Sequence, residues 1–173
     1  MNRWYVLQVN TGCEDDVEKA IKRDVSEVGV RVFKREMMER KKNAWPDKWQ
    51  KVLKLLYPGY VFIYCELNTD IYYSIKNIPK VIKILGKNNA GGSISPVPDY
   101  EMQRILKFAG TGEIIEISNA VIKNGRIKIL SGALYGMEKY ITKVDKHKRR
   151  VKLRLYLYDK PKEIDFCIEL KEP

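Results

Sequence analysis

The chain has 173 residues, 45% of them hydrophobic, enough for one ordinary domain or two small ones. Its 33 Lys and Arg outweigh 22 Asp and Glu to give a net charge of +11, which points to a polyanionic partner, nucleic acid ahead of membrane, although charge kept for solubility alone gives the same excess. No apolar run is long enough to span a bilayer, no signal-peptide pattern opens the chain, and the three scattered cysteines fit neither a disulfide framework nor a zinc site, so a cytoplasmic protein is expected.

In chain order, RWYVLQV (3–9) reads as a strand. Thr11 and Glu14 stand at capping-box spacing, and Glu14, Asp15 and Asp16 suit the first turn of a helix. The stripe Val17, Ala20, Ile21, Val25 and Val28 carries that helix to Gly29. Residues 30–67 read as two strands joined by a polar, Pro-containing tip near Asn43–Lys48, with cations spread along both arms. Thr69 or Asn68 caps a short helix with Ile71, Ile75 and Ile78 on one side, and Pro79 ends it. VIKILG (81–86) is a strand and KNNAGGSISPVP (87–98) a loop. Asp99 starts a helix with Met102, Ile105, Leu106 and Ala109 in register, closed by Gly110. This order matches a ferredoxin-like split βαβ arrangement, a sheet covered by helices on one side.

After Gly112 the helical patterns stop. GRIKIL, EKYITKVD, VKLRLYLYD and EIDFCIEL are short strands between turns, which suggests a small antiparallel barrel. The expected division is 1–110, a linker at 111–119, and 120–173.

Chemistry is conspicuous by what is missing. The sequence has no Walker loop, no GxGxxG after a strand and no GxSxG, and the single His147 lies between Lys146 and Lys148, which repel cations. A binding protein is expected, not an enzyme, with no cofactor and no metal.

The segments WYVLQVNTG (4–12), LYPGYVFIYCEL (56–67), IPKVIKILG (78–86) and VPDYEMQRIL (97–106) resemble the N-terminal (NGN) domain of NusG-type transcription elongation factors. NGRIKILSGALYGMEKYITKVDKHKRRVKLRLYLY (124–158) resembles their KOW domain. The resemblance spans nearly the whole chain, in order and with matching spacing. It implies an α+β protein: a ferredoxin-like NGN domain, an antiparallel sheet with helices, followed by a small SH3-like KOW β-barrel. Among the family's branches the chain is most similar to LoaP, partly through DKHKRR (145–150).

The resemblance implies docking on the clamp helices of bacterial RNA polymerase through an apolar pocket whose family positions fall on Tyr60 and Phe62. Alternation puts Tyr64 on the same face, and Tyr5 and Leu7 of the first strand are taken to extend it. Aromatic side chains suit such an anchor. The alternative is that this face is ordinary core. The family's gate-loop contact falls on Tyr72, Tyr73 and Ser74, which a solvated helix face also explains.

Two basic regions are candidates for nucleic acid. One is Lys19, Lys22 and Arg23 with the arm residues Lys34, Arg35, Arg40, Lys41 and Lys42. The other is Lys146, His147, Lys148, Arg149 and Arg150, followed on the outer side of a strand by Lys152 and Arg154 with Tyr156 and Tyr158. A solvated barrel face fits the second as well. LoaP-type resemblance implies an RNA hairpin of the nascent transcript as ligand, with upstream or non-template DNA within reach of the NGN domain. Where the family often reads GPL-x-GYEG this chain has GALYGMEK (132–139), which weighs against ribosomal protein S10 and Rho as partners. PKV (79–81) replaces the common PGV. The expected function is processive antitermination by a monomer riding on RNA polymerase; the alternatives are a general NusG-like elongation factor and a free KOW-type RNA-binding or ribosome-associated protein.

Overall fold

The computed structural model describes residues 1–173 apart from 44, 47, 87–92 and 111. Most of the loop expected at 87–98, part of the tip at 43–48 and one position of the linker therefore lie outside the described residues. The chain divides into two compact units: Met1–Val32 with Tyr57–Gln103, and Phe33–Leu56 with Arg104–Pro173.

The first unit holds β1 (Arg3–Val9), α1 (Glu14–Asp24), β2 (Gly29–Arg31), β5 (Tyr60–Cys65), α2 (Thr69–Lys76) and β6 (Val81–Ile84). Its sheet runs β2-β5-β1-β6 with every pair antiparallel, the strand order of a ferredoxin-like fold. Residues 30–67 contain four strands, because β3 (Lys34–Arg40) and β4 (Trp49–Leu55) form a hairpin inserted between β2 and β5. The sequence expectation of two strands merged the inserted hairpin with its neighbours; the dipeptide breaks at Val32–Phe33 and the LYPG turn are apolar enough to hide them.

Two local expectations change. Thr11 does not cap α1; its N-cap is Cys13, without a side-chain hydrogen bond. Glu14 instead turns back, accepting hydrogen bonds from Gly12 N–H at 2.9 Å and Gly59 N–H at 2.6 Å. It thereby ties the start of the helix to the LYPG turn, where Gly59 has φ +82. The helix also stops at Asp24, not at Gly29, since the C-cap Val25 leaves helical geometry. Val25 and Val28 remain buried, and Gly29 opens β2 opposite Tyr64. The cap of α2 is as expected: Asn68 Oδ1 accepts from Ile71 N–H at 2.9 Å.

The second unit joins the hairpin to β7 (Ile114–Ile115), β8 (Ser118–Lys123), β9 (Arg126–Ser131), β10 (Ile141–Asp145), β11 (Arg150–Leu157) and β12 (Lys160–Leu170). The expected antiparallel barrel is a curled five-stranded sheet, β10-β11-β12-β8-β9, in which β12 pairs with β8 in parallel. On β11, Val151, Leu153, Leu155 and Leu157 are all buried, as period-2 alternation requires. Helix α3 (Asp99–Ala109) brings Phe108 into a stacked contact with Phe166, ring centroids 5.5 Å apart. The stretch expected as a linker carries β7, which pairs in parallel with β3, and the first residues of β8. A two-residue strand leaves no periodicity to read.

Candidate functional site

Register settles which side chains share a face of the first unit's sheet. Trp4 stands opposite Tyr64, Val6 opposite Phe62, and Gln8 opposite Tyr60. Tyr5 and Leu7 pair with Ile63 and Val61, so they belong to the other face and are buried there. They cannot extend the aromatic face; Trp4 takes that place. The reason is parity: a strand's neighbour must be aligned before odd and even positions can be matched, and the sequence does not supply that alignment.

The aromatic face is itself divided. Phe62 is 1% exposed and its ring meets Tyr57 at 5.6 Å. Tyr57 is buried too, and burial, then the charge of Glu101, pushes its hydroxyl pKa upward. Tyr64 is 40% exposed and tilts against Trp4 at 5.1 Å. Tyr60, half-buried, stacks on Tyr57 at 6.4 Å. The second face of this strand is thus covered partly by the chain's own Tyr57, while Trp4, Tyr60 and Tyr64 keep open surface. Behind it, Cys65 is buried and desolvation raises its thiol to about 11, which makes it a packing residue. On α2, Tyr73 is 57% exposed, Ser74 is exposed, and Tyr72 lies edge-on to Tyr73 with Lys76 over its ring.

The basic residues fall into three groups. Lys19, Lys22 and Arg23 lie on α1 in the first unit, where Lys22 pairs with Glu18 and Arg23 grips Asp24 through two hydrogen bonds. That helix face is balanced, not cationic. Arg35 is structural: its Nε donates to the carbonyl of Asp165 at 2.7 Å and an Nη to that of Leu55. Desolvation lowers its pKa foremost, against the nearby Asp165 carboxylate, which raises it. Lys34 is half-buried on the same strand, while Lys41 and Lys42 are exposed at the hairpin tip.

The third group forms a site. In the second unit, Arg40 and Trp49 face each other across the β3–β4 ladder, and the guanidinium lies over the indole at 5.5 Å. Together with Glu39, His147, Lys148 and Arg150 they line a cleft of about 450 Å³. A smaller adjoining cleft of about 180 Å³ shares Lys148 and Arg150 and adds Lys143, Asp145, Lys152 and Asp165. Arg150 reaches across to the hairpin, donating to the Met38 carbonyl at 3.4 Å. The 145–150 turn is held by Asp145, whose carboxyl accepts from Lys148 N–H at 2.9 Å and sits below its ordinary pKa chiefly for that reason. Arg149 takes φ +52 to close the turn. Glu39, the acid of the main cleft, is already paired with Lys54. Farther along β11, Lys152 faces Asp165 at 3.9 Å and Arg154 pairs with Glu163 at 3.2 Å, so both are partly neutralised. Among the described residues no cluster of His, Cys, Asp or Glu could hold a metal ion.

A family model described as "Transcription termination factor nusG" matches residues 2–106. The chain belongs to the NusG family. Curated relatives extend the match along both units: the "Transcription termination/antitermination protein NusG" of Bacillus subtilis (strain 168) is 25% identical over 94% of this chain and 94% of its own length. That of Staphylococcus carnosus (strain TM300) is 27% identical over 95% and 92%. A solved NusG structure from Thermotoga maritima superposes with a TM-score of 0.58 at 23% identity, covering 96% of this chain and 94% of that one, which supports the shared fold. The chain is thus a NusG-like transcription termination/antitermination factor with an NGN fold and a curled, KOW-like β domain.

Two departures from the NusG pattern have structural readings. Lys80, where the family commonly has Gly, adopts φ +72, and its ammonium pairs with Asp16 at 3.0 Å. A left-handed non-glycine residue costs roughly 1–2 kcal/mol, which this exposed ion pair offsets only in part. Met137, in place of an aromatic, is buried beside a turn in which Leu134 N–H bonds the Ser118 hydroxyl. A Cβ on Gly132, at φ +98, would come within 2.7 Å of that serine. The residues missed from sequence were Trp4 and Trp49. Their signal was present, an aromatic residue at the right parity beside each proposed site, but only pairing register reveals it.

Proposed function

We propose that this NusG-family chain rides on bacterial RNA polymerase and promotes processive antitermination in the manner of LoaP, recruited by an RNA hairpin in the nascent transcript. Residues 1–110 act as the polymerase-binding NGN domain, 111–119 as the linker and 120–173 as the KOW domain. The observation that carries the RNA reading is the meeting of two basic regions, about a hundred residues apart in sequence, in one cleft whose single acid is neutralised by Lys54. Phosphates are held by such cations, and structured RNA is read through its backbone and unpaired bases. The factor works as a cytoplasmic monomer, and DNA near the polymerase is a secondary contact.

Fluorescence anisotropy tests the RNA reading with three probes: a leader hairpin RNA, an unstructured RNA of equal length and duplex DNA. Hairpin binding that persists at near-physiological salt is the expected result. Weak binding to all three that collapses with salt would reduce the +11 charge to generic attraction and leave a general elongation factor.

Polymerase contact is assigned to the open part of the aromatic face. Tyr64→Ala with Tyr60→Ala should lower retention on immobilised polymerase by about tenfold or more while the protein stays folded, because exposed aromatic anchors dominate such interfaces. Phe62 is a poor probe, since truncating a buried Phe costs about 3–5 kcal/mol of core packing. Undiminished retention of the double variant refutes this assignment.

A further inference from the structure

We propose that the Arg40–Trp49 stack is a seat for one unpaired nucleobase, with the flanking phosphate held by Lys148 and His147. This rests on the nucleic-acid reading above and adds to it a distinct chemistry: recognition of a base face, not of charge alone. Trp49 is 46% exposed although it sits in a regular strand pair, so no core holds it. Arg40 covers the indole at 5.5 Å, which makes a flat cationic surface. A base joining that stack gains both ring overlap and cation–π attraction.

The walls suit a nucleotide. His147 and Lys148 come from the exposed turn and supply an imidazole N–H donor and a cation at the rim, while Arg150, anchored to the Met38 carbonyl, fixes the hairpin wall in place. A cleft of about 450 Å³ lies within the range of small-molecule sites, and its size admits a single base with its sugar. A continuous duplex buries its base faces in its own stack and so cannot use the seat. The ligand is therefore a looped or bulged base, or a strand end, in an otherwise backbone-held RNA.

The test separates bases from charge. The full-length protein is titrated with an RNA stem closed by an all-adenosine loop, and with the same stem whose loop carries abasic ribose phosphates. Both probes have equal charge. Wild type should bind the adenosine loop about tenfold more tightly, the usual worth of one stacked base. Trp49→Ala should lose that advantage on the adenosine loop and change little on the abasic loop, while Trp49→Tyr restores most of it. Equal affinity of wild type for the two loops, or equal losses on both from Trp49→Ala, overturns the stacking seat and leaves RNA binding itself standing. Failure of wild type to bind either loop at near-physiological salt overturns the RNA reading and the seat together.

Discussion

Arg35→Met should lower the stability of the protein by about 3 kcal/mol and weaken RNA binding without changing its dependence on salt. Arg35 is one of the cations that sequence alone offers as a phosphate ligand, yet its guanidinium is spent on two carbonyls, those of Asp165 and Leu55. Hydrogen bonds from a charged donor contribute about 1.5–3 kcal/mol each, and methionine replaces the stem but neither bond. The Asp165 bond ties the hairpin to β12, and the hairpin supplies one wall of the Trp49 cleft. Loosening that wall should cost affinity while leaving the number of phosphate contacts, and hence the salt slope, unchanged. Urea denaturation gives the first quantity; binding across a salt series gives the second. A slope that falls by about one would show that Arg35 touches phosphate after all.

Lys146→Glu with Lys148→Glu should do the reverse. Both side chains are exposed, so stability should move by no more than about 0.5 kcal/mol. A phosphate about 4 Å from a lysine gains about 1 kcal/mol in water and loses as much when the sign is reversed, so two reversals cost about 4 kcal/mol, roughly a thousandfold in affinity. The salt slope should fall by about two. The turn survives, since Asp145 is held by the backbone N–H of Lys148, not by its ammonium group. Unaltered hairpin binding in this variant would remove the turn from the RNA site. Arg149 and Arg150, the more obvious pair in the sequence, are less suitable. Arg150 holds the Met38 carbonyl, and Arg149 closes the turn while its carbonyl accepts from Ile168 N–H at 2.9 Å. Reversing Arg150 would remove that side-chain bond and change the charge at once, so a variant of the pair would not separate fold from charge.

The contrast between these two variants marks what could be read from the sequence. Periodicity located β1, α2, α3 and the inward side of β11, because each of these is set by residues close together in the chain. The cap at Asn68 is equally local. Glu14 could not be read in the same way: its partner Gly59 N–H is 45 positions distant, and capping-box spacing suggested a nearer one. Tyr5 and Leu7 were assigned to the aromatic face because the parity of β1 relative to β5 is a property of their pairing. The basic cleft was legible as two lists of cations. That Arg35 is a strut, that Arg23 is paired with its neighbour, and that Arg40 meets Trp49 are facts of three-dimensional arrangement. Charge counting treats these arginines alike, although their surroundings give them different work.

The Arg35 strut also bears on the order of synthesis. Its acceptor at Asp165 is made 130 residues after it, and ribosomes add about 5–20 residues per second, so the hairpin waits about ten seconds for its partner strand. The sheet of the first unit faces no such delay, for its last strand is complete at Ile84. Until β7 is made, β3 has one uncovered edge, the kind of surface on which nascent chains stick to one another. Lys34 on β3 and the exposed Lys41 and Lys42 at the tip of that ribbon repel such encounters. Part of the protein's positive charge thus guards the growing chain before any nucleic acid is met.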